Sequence, residues 1–304
     1  MVGLRRSDGG LGFPGVVGIR AHFWGVKRFV AGFRIHIVGC APRAGTTLLK
    51  ELVGGGFETR SLAPHEVSVL VRPRRLRGVC ISKHPHEVVP AGRLLRVDPR
   101  LWVIYCLRDP RDVVCSRHPN DPSRYVVGFE TWSRYDTIAR RTSHPRFVTV
   151  KYEDLVADPD SVQSFLAAAM PFLVPRCLFS ETLSSNQTSE ASRRAMHGAL
   201  RIHQDSAGAW RDHLPRIREQ LERFPALKDD LISRSYETDH DWVRILDGVE
   251  PQPCPEKERG PRSAWYSRRR RRRMWLAMKY LVKMELDHIT SDDELSRETS
   301  RSAR

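Results

Sequence analysis

Residues 33–47 read Phe-Arg-Ile-His-Ile-Val-Gly-Cys-Ala-Pro-Arg-Ala-Gly-Thr-Thr, and this order sets the fold class of the chain. The β-branched first half predicts a strand that ends at Gly39. A short helix is predicted from Thr46 to Val53, because three glycines at 54–56 follow it. A strand, a small-residue loop and a helix in this order point backbone N–H groups and a helix N-terminus at an anion. The stretch therefore predicts an α/β fold that binds an anion beyond its first strand.

Strands and helices alternate downstream of this stretch. Apolar or β-branched runs predict further strands at 78–82, 101–107 and 146–150. Helices are predicted at 112–117, 129–140 and 159–170. Such alternation implies right-handed crossovers and a parallel sheet. We therefore predict a three-layer α/β sandwich over residues 33–250, with a central parallel sheet of about four to five strands.

The composition bounds the class of protein and the kind of partner. Of the 304 residues, 40% are hydrophobic and 29% are charged, which excludes a disordered or fibrous chain. No apolar run reaches the ~18 residues of an ordinary transmembrane helix. The chain has 51 Lys and Arg residues against 36 Asp and Glu, a net charge of +15. This excess predicts an anionic partner: a nucleotide, a nucleic acid, an acidic glycan or a membrane surface.

The cysteines and the N-terminus bear on the location of the protein. None of the six cysteines forms a C-x-x-C pair, so a zinc ribbon, a redox motif and a disulfide framework are not expected. This pattern favours a reducing compartment, whereas one glycosylation sequon at Asn186 favours the secretory pathway. Residues 1–32 lack the clean apolar core of a secretory signal and are interpreted as a basic lead-in, with an organelle transit segment as the alternative. We expect a cytoplasmic protein or one that is peripheral to a membrane.

The loop after the first strand departs from the phosphate loop of ATP- and GTP-using enzymes, G-x-x-x-x-G-K-[ST]. When the two are aligned on Gly45, Thr46 takes the position of the lysine that spans the β- and γ-phosphates. The cation lies inside the loop instead, at Arg43. Such a loop suits a shorter anionic group than a triphosphate–Mg²⁺ complex. The alternative is a strand–helix turn that binds no ligand.

A second signal follows the strand at 101–107, where residues 108–116 read Arg-Asp-Pro-Arg-Asp-Val-Val-Cys-Ser. Pro110 suits the first turn of a helix, and Asp109 could cap it. Arg108 stands at the carboxyl end of the strand, where a guanidinium can bind a phosphate through two hydrogen bonds. Open parallel sheets bind ligands beyond the carboxyl ends of their strands, so we expect Arg108 beside the loop of Arg43. Taken alone, the string is also typical of a salt-bridged helix start.

These two stretches resemble motifs of the sulfotransferases that use 3′-phosphoadenosine 5′-phosphosulfate (PAPS). Residues 42–47, P-R-A-G-T-T, are similar to the family's 5′-phosphosulfate loop, P-[KR]-S-G-T-T, and residues 108–116 are similar to its 3′-phosphate motif, R-[ND]-P-[KR]-D-x-x-x-S. Residues 152–159 resemble Y-E-D-L-x-x-x-P, and residues 206–211 resemble the later G-x-W-[KR] element. The resemblance covers residues 33–235. It implies a PAPS-dependent sulfotransferase fold with a P-loop-like 5′-phosphosulfate loop.

The resemblance also implies which residues bind PAPS. The loop residues Arg43, Gly45, Thr46 and Thr47 would hold the 5′-phosphosulfate, with Ala44 where the family usually has serine. Arg108 and Ser116 would hold the 3′-phosphate, and Tyr152 would lie near the adenine. The full set implied in cofactor binding is Arg43, Ala44, Gly45, Thr46, Thr47, Arg108, Ser116, Tyr152, Ser206 and Gly208.

The mechanism implied is direct transfer of the sulfuryl group to an acceptor hydroxyl or amine, without a metal. Arg43 and the loop amides would stabilise the charge that grows on the departing phosphate. After the strand at 78–82, the segment Lys83-His84-Pro85-His86 resembles the family's K-x-H-x-P or K-x-P. We expect Lys83 to contact the sulfuryl group and His84 to act as the base. His86 and Glu66 are the alternative bases.

Two other functions compete with this hypothesis. One is a P-loop kinase of small molecules, which the missing lysine argues against. The other is a basic binding protein that keeps the nucleotide fold and has no catalytic activity. For a sulfotransferase, we expect a carbohydrate, such as a glycan, or another small molecule as the acceptor.

The C-terminal region is predicted to be separate from the α/β domain. Residues 251–264 are rich in proline and charge and indicate a linker, and residues 265–304 indicate an Arg-rich amphipathic tail helix with a disordered end. Six consecutive arginines, Arg268–Arg273, precede the helix candidate at 274–289. A basic amphipathic helix suits an anionic membrane surface, and nucleic acid is not the partner we expect. The alternative is a terminal helix that packs on the domain while its arginines stay in solvent.

Overall fold

The computed structural model describes residues 32–73, 76–118, 121–185, 189–196, 202, 204–252 and 275–282. All of them fall in one unit, residues 31–304, and a second unit, residues 1–30, lies outside the described ranges. The described ranges also leave out the predicted lead-in except for Gly32, most of the predicted linker, and the arginine run.

Five of the strands in the described residues form one parallel sheet, in the order β2-β3-β1-β4-β7. The other two, β5 and β6, form a separate antiparallel pair. The strands are β1 (Phe33–Gly39), β2 (Ser61–Leu62), β3 (Val79–Lys83), β4 (Leu101–Leu107), β5 (Arg117–His118), β6 (Asp121–Tyr125) and β7 (Phe147–Lys151).

Helices cover both faces of the sheet. The α-helices are α1 (Thr46–Gly56), α2 (Val88–Leu94), α3 (Pro110–Cys115), α4 (Phe129–Arg140), α5 (Tyr152–Ala157), α6 (Pro159–Ala169), α7 (Phe179–Ser185), α8 (Glu190–Ala195), α9 (Leu214–Arg223) and α10 (Leu227–Ser233). Two 3-10 helices span Ala209–His213 and Asp241–Leu246, and residues 275–282 are also helical.

The predicted three-layer α/β fold with a parallel sheet of four to five strands is confirmed. β4 is buried on both faces, as its unbroken apolar run predicts. On one face, Ile35 and Ile37 pack with the apolar sides of α1, α6 and α7. On the other face, Val103 and Tyr105 pack with α3, α4 and α9. The sheet therefore separates two hydrophobic cores, and both are closed by helices.

One local prediction was wrong. The glycines at 54–56 do not stop α1 but form its last turn, because neighbouring side chains pack against the bare backbone there. A Cβ on Gly54 would lie 2.8 Å from the Leu62 side chain, and one on Gly56 would lie 2.4 Å from the Phe179 ring. The β5–β6 pair and the two-residue β2 were not predicted. β2 and β5 have only two residues each, and β6 contains Pro122 and no apolar–polar alternation.

The strand order places a topological switch point between β1 and β4. The helix that follows β1 packs on one face of the sheet, and the helix that follows β4 packs on the other. Ligands in open α/β sheets bind where the connections diverge in this way. In the parallel register, Gly39 pairs with Cys106. The loop after Gly39 and the residue after Leu107 are therefore neighbours at the carboxyl edge.

The helical residues 275–282 belong to the predicted tail helix, whose remainder lies outside the described ranges. The segment packs on the domain through Tyr280, which is 1% exposed. The Tyr280 hydroxyl accepts a 2.7 Å hydrogen bond from Arg34 Nη1 and donates to Asp98. Within the described residues, no helix has the length and apolar content needed to cross a membrane.

Candidate functional site

The loop after β1 turns sharply through two residues in the left-handed region. Arg43 has φ 72° and Gly45 has φ 89°. A non-glycine residue in this region costs on the order of 1 kcal/mol, so the surrounding structure must hold Arg43 in place. Arg108 does so, because its Nη1 donates a 2.8 Å hydrogen bond to the Arg43 carbonyl. The turn delivers the chain into α1 at Thr46, with Gly45 as the N-cap.

Gly45 is required by close packing as well as by its backbone angle. A Cβ at this position would lie 2.3 Å from the Tyr152 ring. Tyr152 begins α5 at the carboxyl end of β7 and is 7% exposed. The loop therefore packs directly against an aromatic ring. The position of Tyr152 near an adenine stays a prediction.

Arg108 joins three separate segments of the chain. Besides the Arg43 carbonyl, it donates through Nη2 to the Ser206 carbonyl. Its guanidinium carbon lies 4.3 Å from the centre of the Tyr152 ring. The Nε–H of Arg108 is buried and has no hydrogen-bond partner among the described residues. The structure thus brings four of the predicted residues, Arg43, Arg108, Tyr152 and Ser206, into one connected cluster.

The two arginines of this cluster act on each other electrostatically. Burial lowers the pKa of the Arg43 guanidinium, and the positive charge of Arg108 lowers its pKa further. The Arg43 guanidinium stays protonated at neutral pH because the pKa of arginine starts from a very high value. Two neighbouring, partly desolvated cations create a positive potential that an anion would neutralise.

The remaining loop residues can contribute mainly through their backbone. The side chains of Ala44 and Thr46 are buried, whereas Thr47 is half-buried. The first N–H groups of α1 have no partner within the helix, and they lie at the positive end of its dipole. N–H donors and a helix dipole are what an anion needs at such a turn.

Asp112 organises the 3′-phosphate motif from within. Its carboxylate accepts hydrogen bonds from the N–H groups of Gly208, at 2.8 Å, and Trp210, at 2.9 Å. Ser116 donates from Oγ to the Asp112 carbonyl, at 2.9 Å. The predicted residues Ser116 and Gly208 are therefore both hydrogen-bonded to Asp112. The expected capping of α3 by Asp109 is confirmed, since its side chain accepts from the Arg111 N–H.

Glu153 fixes the corner between β4 and α3. Its Oε1 accepts a 2.9 Å hydrogen bond from the Asp109 N–H, and its Oε2 accepts a 3.1 Å hydrogen bond from the Tyr236 hydroxyl. Glu153 is adjacent to Tyr152, and Asp109 is adjacent to Arg108. The hydrogen bond between Glu153 and the Asp109 N–H therefore holds together the two backbone segments that carry the contact of Arg108 with the Tyr152 ring.

Lys83 and His84 lie beyond β3, beside the end of β1. In the parallel register, Ile37 pairs with Lys83, and the His84 N–H donates to the Ile37 carbonyl at 3.0 Å. Lys83 is buried, and its Nζ lies 3.0 Å from Glu66 Oε1. Burial lowers the pKa of the Lys83 ammonium, although Glu66 opposes that effect. These residues form a second group at the same edge of the sheet.

The two histidines of this segment differ in their surroundings. His84 Nδ1 is buried and has no hydrogen-bond partner within the described part of the chain. The His86 ring is exposed, and its Nδ1 lies 3.1 Å from the Tyr135 hydroxyl. The ring centres lie 5.9 Å apart. Of the two, His84 has the nitrogen that a further hydrogen-bonding group could satisfy.

A buried network that was not predicted from the sequence fixes the turn that carries His84. The Glu87 N–H donates to the His84 carbonyl at 3.1 Å. The Glu87 carboxylate accepts hydrogen bonds from the Val69 N–H, at 2.6 Å, and the Ser68 hydroxyl, at 2.7 Å. It also lies 3.5 Å from His36 Nε2. The signal available in the sequence was His36 itself, since a polar side chain in a strand covered on both faces needs a buried partner.

The charge states of this network follow from its burial. His36 is fully buried, and burial lowers the pKa of its imidazole, which is therefore neutral at neutral pH. Burial raises the pKa of the Glu87 carboxyl, but His36 and the hydrogen bonds from Val69 and Ser68 outweigh it and hold that pKa at about 2. Glu87 is thus an anion that the fold stabilises.

Metal-ligating groups and thiols determine what other chemistry the described residues could perform. No group of three or more His, Cys, Asp or Glu side chains in those ranges has the arrangement of a metal site. The described cysteines, Cys40, Cys80, Cys106, Cys115 and Cys177, are free thiols. Burial raises the pKa of Cys40 and Cys115, so these thiols are not activated nucleophiles.

Residues 58–170 match the model of the Sulfotransferase family. The expected resemblance to the sulfotransferase family is confirmed. The matched segment contains Lys83, His84, Arg108, Ser116 and Tyr152. The match supports sulfotransferase activity.

Solved structures that resemble the chain include two sulfotransferase domains. The domain from the Synechococcus PCC 7002 olefin synthase is 17% identical, with a TM-score of 0.41, over 62% of this chain and 91% of that one. The domain from the curacin biosynthetic pathway is 16% identical, with a TM-score of 0.43, over 59% of this chain and 90% of that one. None of the curated proteins compared with the chain matches it.

The Glu87 network leads to a prediction about acid stability. The pKa of Glu87 falls from an ordinary 4.5 to about 2 on folding. A lowered pKa contributes stability that is present above pH 4.5 and is lost as the pH falls towards 2. The variant Glu87→Gln should be less stable than the wild type by about 2 kcal/mol at neutral pH, because charged hydrogen bonds are lost.

Urea unfolding at several pH values measures this difference. The gap in unfolding free energy between wild type and Glu87→Gln should shrink as the pH falls from 4.5 to about 2. Glu58→Gln, at an exposed position, is the control for loss of one surface carboxylate. A gap for Glu87→Gln that stays constant over this range would contradict the assignment.

Proposed function

We propose that the chain is a sulfotransferase that transfers the sulfuryl group of PAPS to a hydroxyl or amine of an acceptor, a carbohydrate or another small molecule. The observation that carries the proposal is the cluster at the switch point. There, Arg108 bonds to both the Arg43 loop and the Ser206 segment. Two anion-binding elements from separate strands thus meet at one place, as a nucleotide with phosphate on both sides of its ribose requires.

The residues present fit the 5′ end of such a donor. The N-terminal amides of α1 and the guanidinium of Arg43 would hold the phosphosulfate. Gly45 leaves no side chain between the loop and the Tyr152 ring. The buried position of Thr46, which replaces the lysine of ATP-using loops, gives no cation for a γ-phosphate. This donor set suits a phosphosulfate better than a triphosphate, which disfavours the kinase alternative.

The 3′-phosphate would be held by Arg108, with Ser116, Ser206 and Gly208 around it. Arg108 uses two of its five donors on carbonyls. Its buried Nε–H lacks an acceptor among the described residues, and a phosphate oxygen would supply one. Asp112 keeps the Gly208 segment close to α3 for this purpose.

The chemistry follows from these positions. PAPS supplies an activated sulfuryl group whose leaving group is a phosphate. Arg43 and the loop N–H groups would stabilise the negative charge that develops on the bridging oxygen. Lys83, held by Glu66, would contact the sulfuryl oxygens. His84 would accept the proton of the acceptor hydroxyl as the new oxygen–sulfur bond forms, and would later release it to solvent.

Calorimetry with the desulfated nucleotide, 3′,5′-adenosine bisphosphate, tests the donor site. The wild type should bind it, and Arg108→Ala should bind about tenfold or more weakly, because hydrogen bonds to a charged group are lost. Arg218→Ala is the matched control, since Arg218 lies on the surface of α9 and pairs with Glu222. Absence of binding to the wild type would overturn the proposal.

A transfer assay with labelled PAPS against a panel of glycans, phenols and lipids tests the chemistry and the base. His84→Ala should lower the rate by about 100-fold or more, because a positioned base is lost. His240→Ala is the control, since its exposed ring pairs with Asp229, and His86→Ala tests the alternative base. A rate within a few-fold of wild type in His84→Ala, with a large loss in Glu66→Gln, would move the role to Glu66.

Nucleotide binding without transfer to any acceptor would favour the binding protein without catalytic activity. Dependence of the activity on magnesium and ATP would favour the kinase.

A further inference from the structure

Exposed apolar side chains concentrate around the tail helix at 275–282. Among the described residues, ten large apolar side chains are strongly exposed, and six of them lie on or beside this helix. We call these six the basal patch: Val71, Val97, Trp275, Met278, Leu281 and Val282. The four on the helix are between 52% and 63% exposed. Exposed apolar clusters of this kind mark interaction surfaces.

The hydrogen bonds of Tyr280 hold the patch together. Arg34 donates to the Tyr280 hydroxyl from Nη1, and to the carbonyls of Val69, at 2.7 Å, and Val71, at 3.1 Å, from Nη2. Tyr280 in turn donates to Asp98, the neighbour of Val97. Leu276 and Ala277 pack against the core on the same side of the helix. The helix is therefore fixed with one face inward and its other apolar face outward.

The surroundings of the patch are basic. The segments 68–73, 93–100 and 275–282 contain five cations, which are Arg72, Arg93, Arg96, Arg100 and Lys279. Their only acid, Asp98, is fully buried. Lys279 Nζ lies 3.8 Å from the centre of the Trp275 ring. In the sequence, the arginine run at 268–273, outside the described ranges, precedes the helix and has the same sign of charge.

The patch lies at the opposite edge of the sheet from the proposed donor site. Arg34 is the second residue of β1, and Asp98 precedes the start of β4. The Arg43 and Arg108 cluster follows the other ends of these same strands. A partner bound to the patch would leave the carboxyl edge open.

We propose that the basal patch docks the protein on the surface of an anionic lipid bilayer. The outward side chains of the helix would enter the boundary between head groups and acyl chains, with Trp275 at the level of the head groups. The exposed cations Arg93, Arg96 and Lys279 would lie against lipid phosphates and carboxylates. Apolar insertion and basic attraction act together here, and stable peripheral binding requires two such signals.

Charge and apolar character together favour a bilayer over two other occupants. A second copy of the chain on the same patch would bring five cations against five identical cations. Nucleic acid would use the cations but would leave the four large apolar side chains of the helix against a polar backbone. A bilayer satisfies both kinds of group.

Co-sedimentation with vesicles tests the proposal on the full chain. One set of vesicles contains phosphatidylcholine with about one third phosphatidylserine, and the other contains phosphatidylcholine alone. The test variant is Met278→Glu with Leu281→Glu, two exposed positions on the helix. The control variant is Phe165→Glu with Leu178→Glu, which adds the same charge at positions that are each 50% exposed elsewhere. Thermal melting confirms that both variants fold.

The wild type and the control variant should bind the anionic vesicles, and the test variant should bind about tenfold or more weakly. Raising the salt from about 0.1 M to about 0.5 M should weaken wild-type binding. Equal binding of the test variant, no binding by the wild type, or equal binding to both kinds of vesicle would each overturn the proposal. Two other results would also overturn it, if the wild type does not bind vesicles. One is a dimer, seen by light scattering, that the test variant abolishes, and the other is binding to a duplex RNA that the test variant abolishes.

Discussion

The side chain of Arg108 is the constraint on which the rest of the candidate site depends. A buried guanidinium is costly unless its N–H groups find acceptors. Arg108 finds two in the carbonyls of Arg43 and Ser206, and its flat face lies against Tyr152. One cation thereby fixes the left-handed turn of the loop, the segment before the first 3-10 helix, and the start of α5. Without that cation, each of these segments would lose its link to the carboxyl end of β4.

Three carboxylates with little or partial exposure support this arrangement. Asp112 holds the segment that contains Gly208, Glu153 holds the corner at Asp109, and Glu87 holds the backbone at Val69. Each accepts backbone N–H bonds, which are directional and strong when the acceptor is charged. Sequence motifs spread from residue 42 to residue 211 therefore act as one structure. In this arrangement the arginines supply positive charge at the carboxyl edge of the sheet, and the carboxylates hold the backbone.

The fold could be predicted from the sequence to a large extent because its central strands are strongly patterned. The unbroken apolar run at 101–107 predicts a strand covered on both faces, and the glycine-bearing loop at 39–47 shows where its neighbour ends. The partners of Arg108 and Glu87 could not be predicted, because they come from residues distant in sequence that only the folded topology brings together. The end of α1 was predicted too early, because the helix continues through the glycines where the Phe179 ring packs against their bare backbone.

A crystal structure of the chain with 3′,5′-adenosine bisphosphate tests the central claim most directly. The account predicts one nucleotide across the switch point, its 5′-phosphate within about 3.2 Å of the N–H groups that begin α1 and its 3′-phosphate within the same reach of Arg108. A nucleotide bound elsewhere, or one whose 3′-phosphate lies beyond hydrogen-bond reach of that guanidinium, would contradict it.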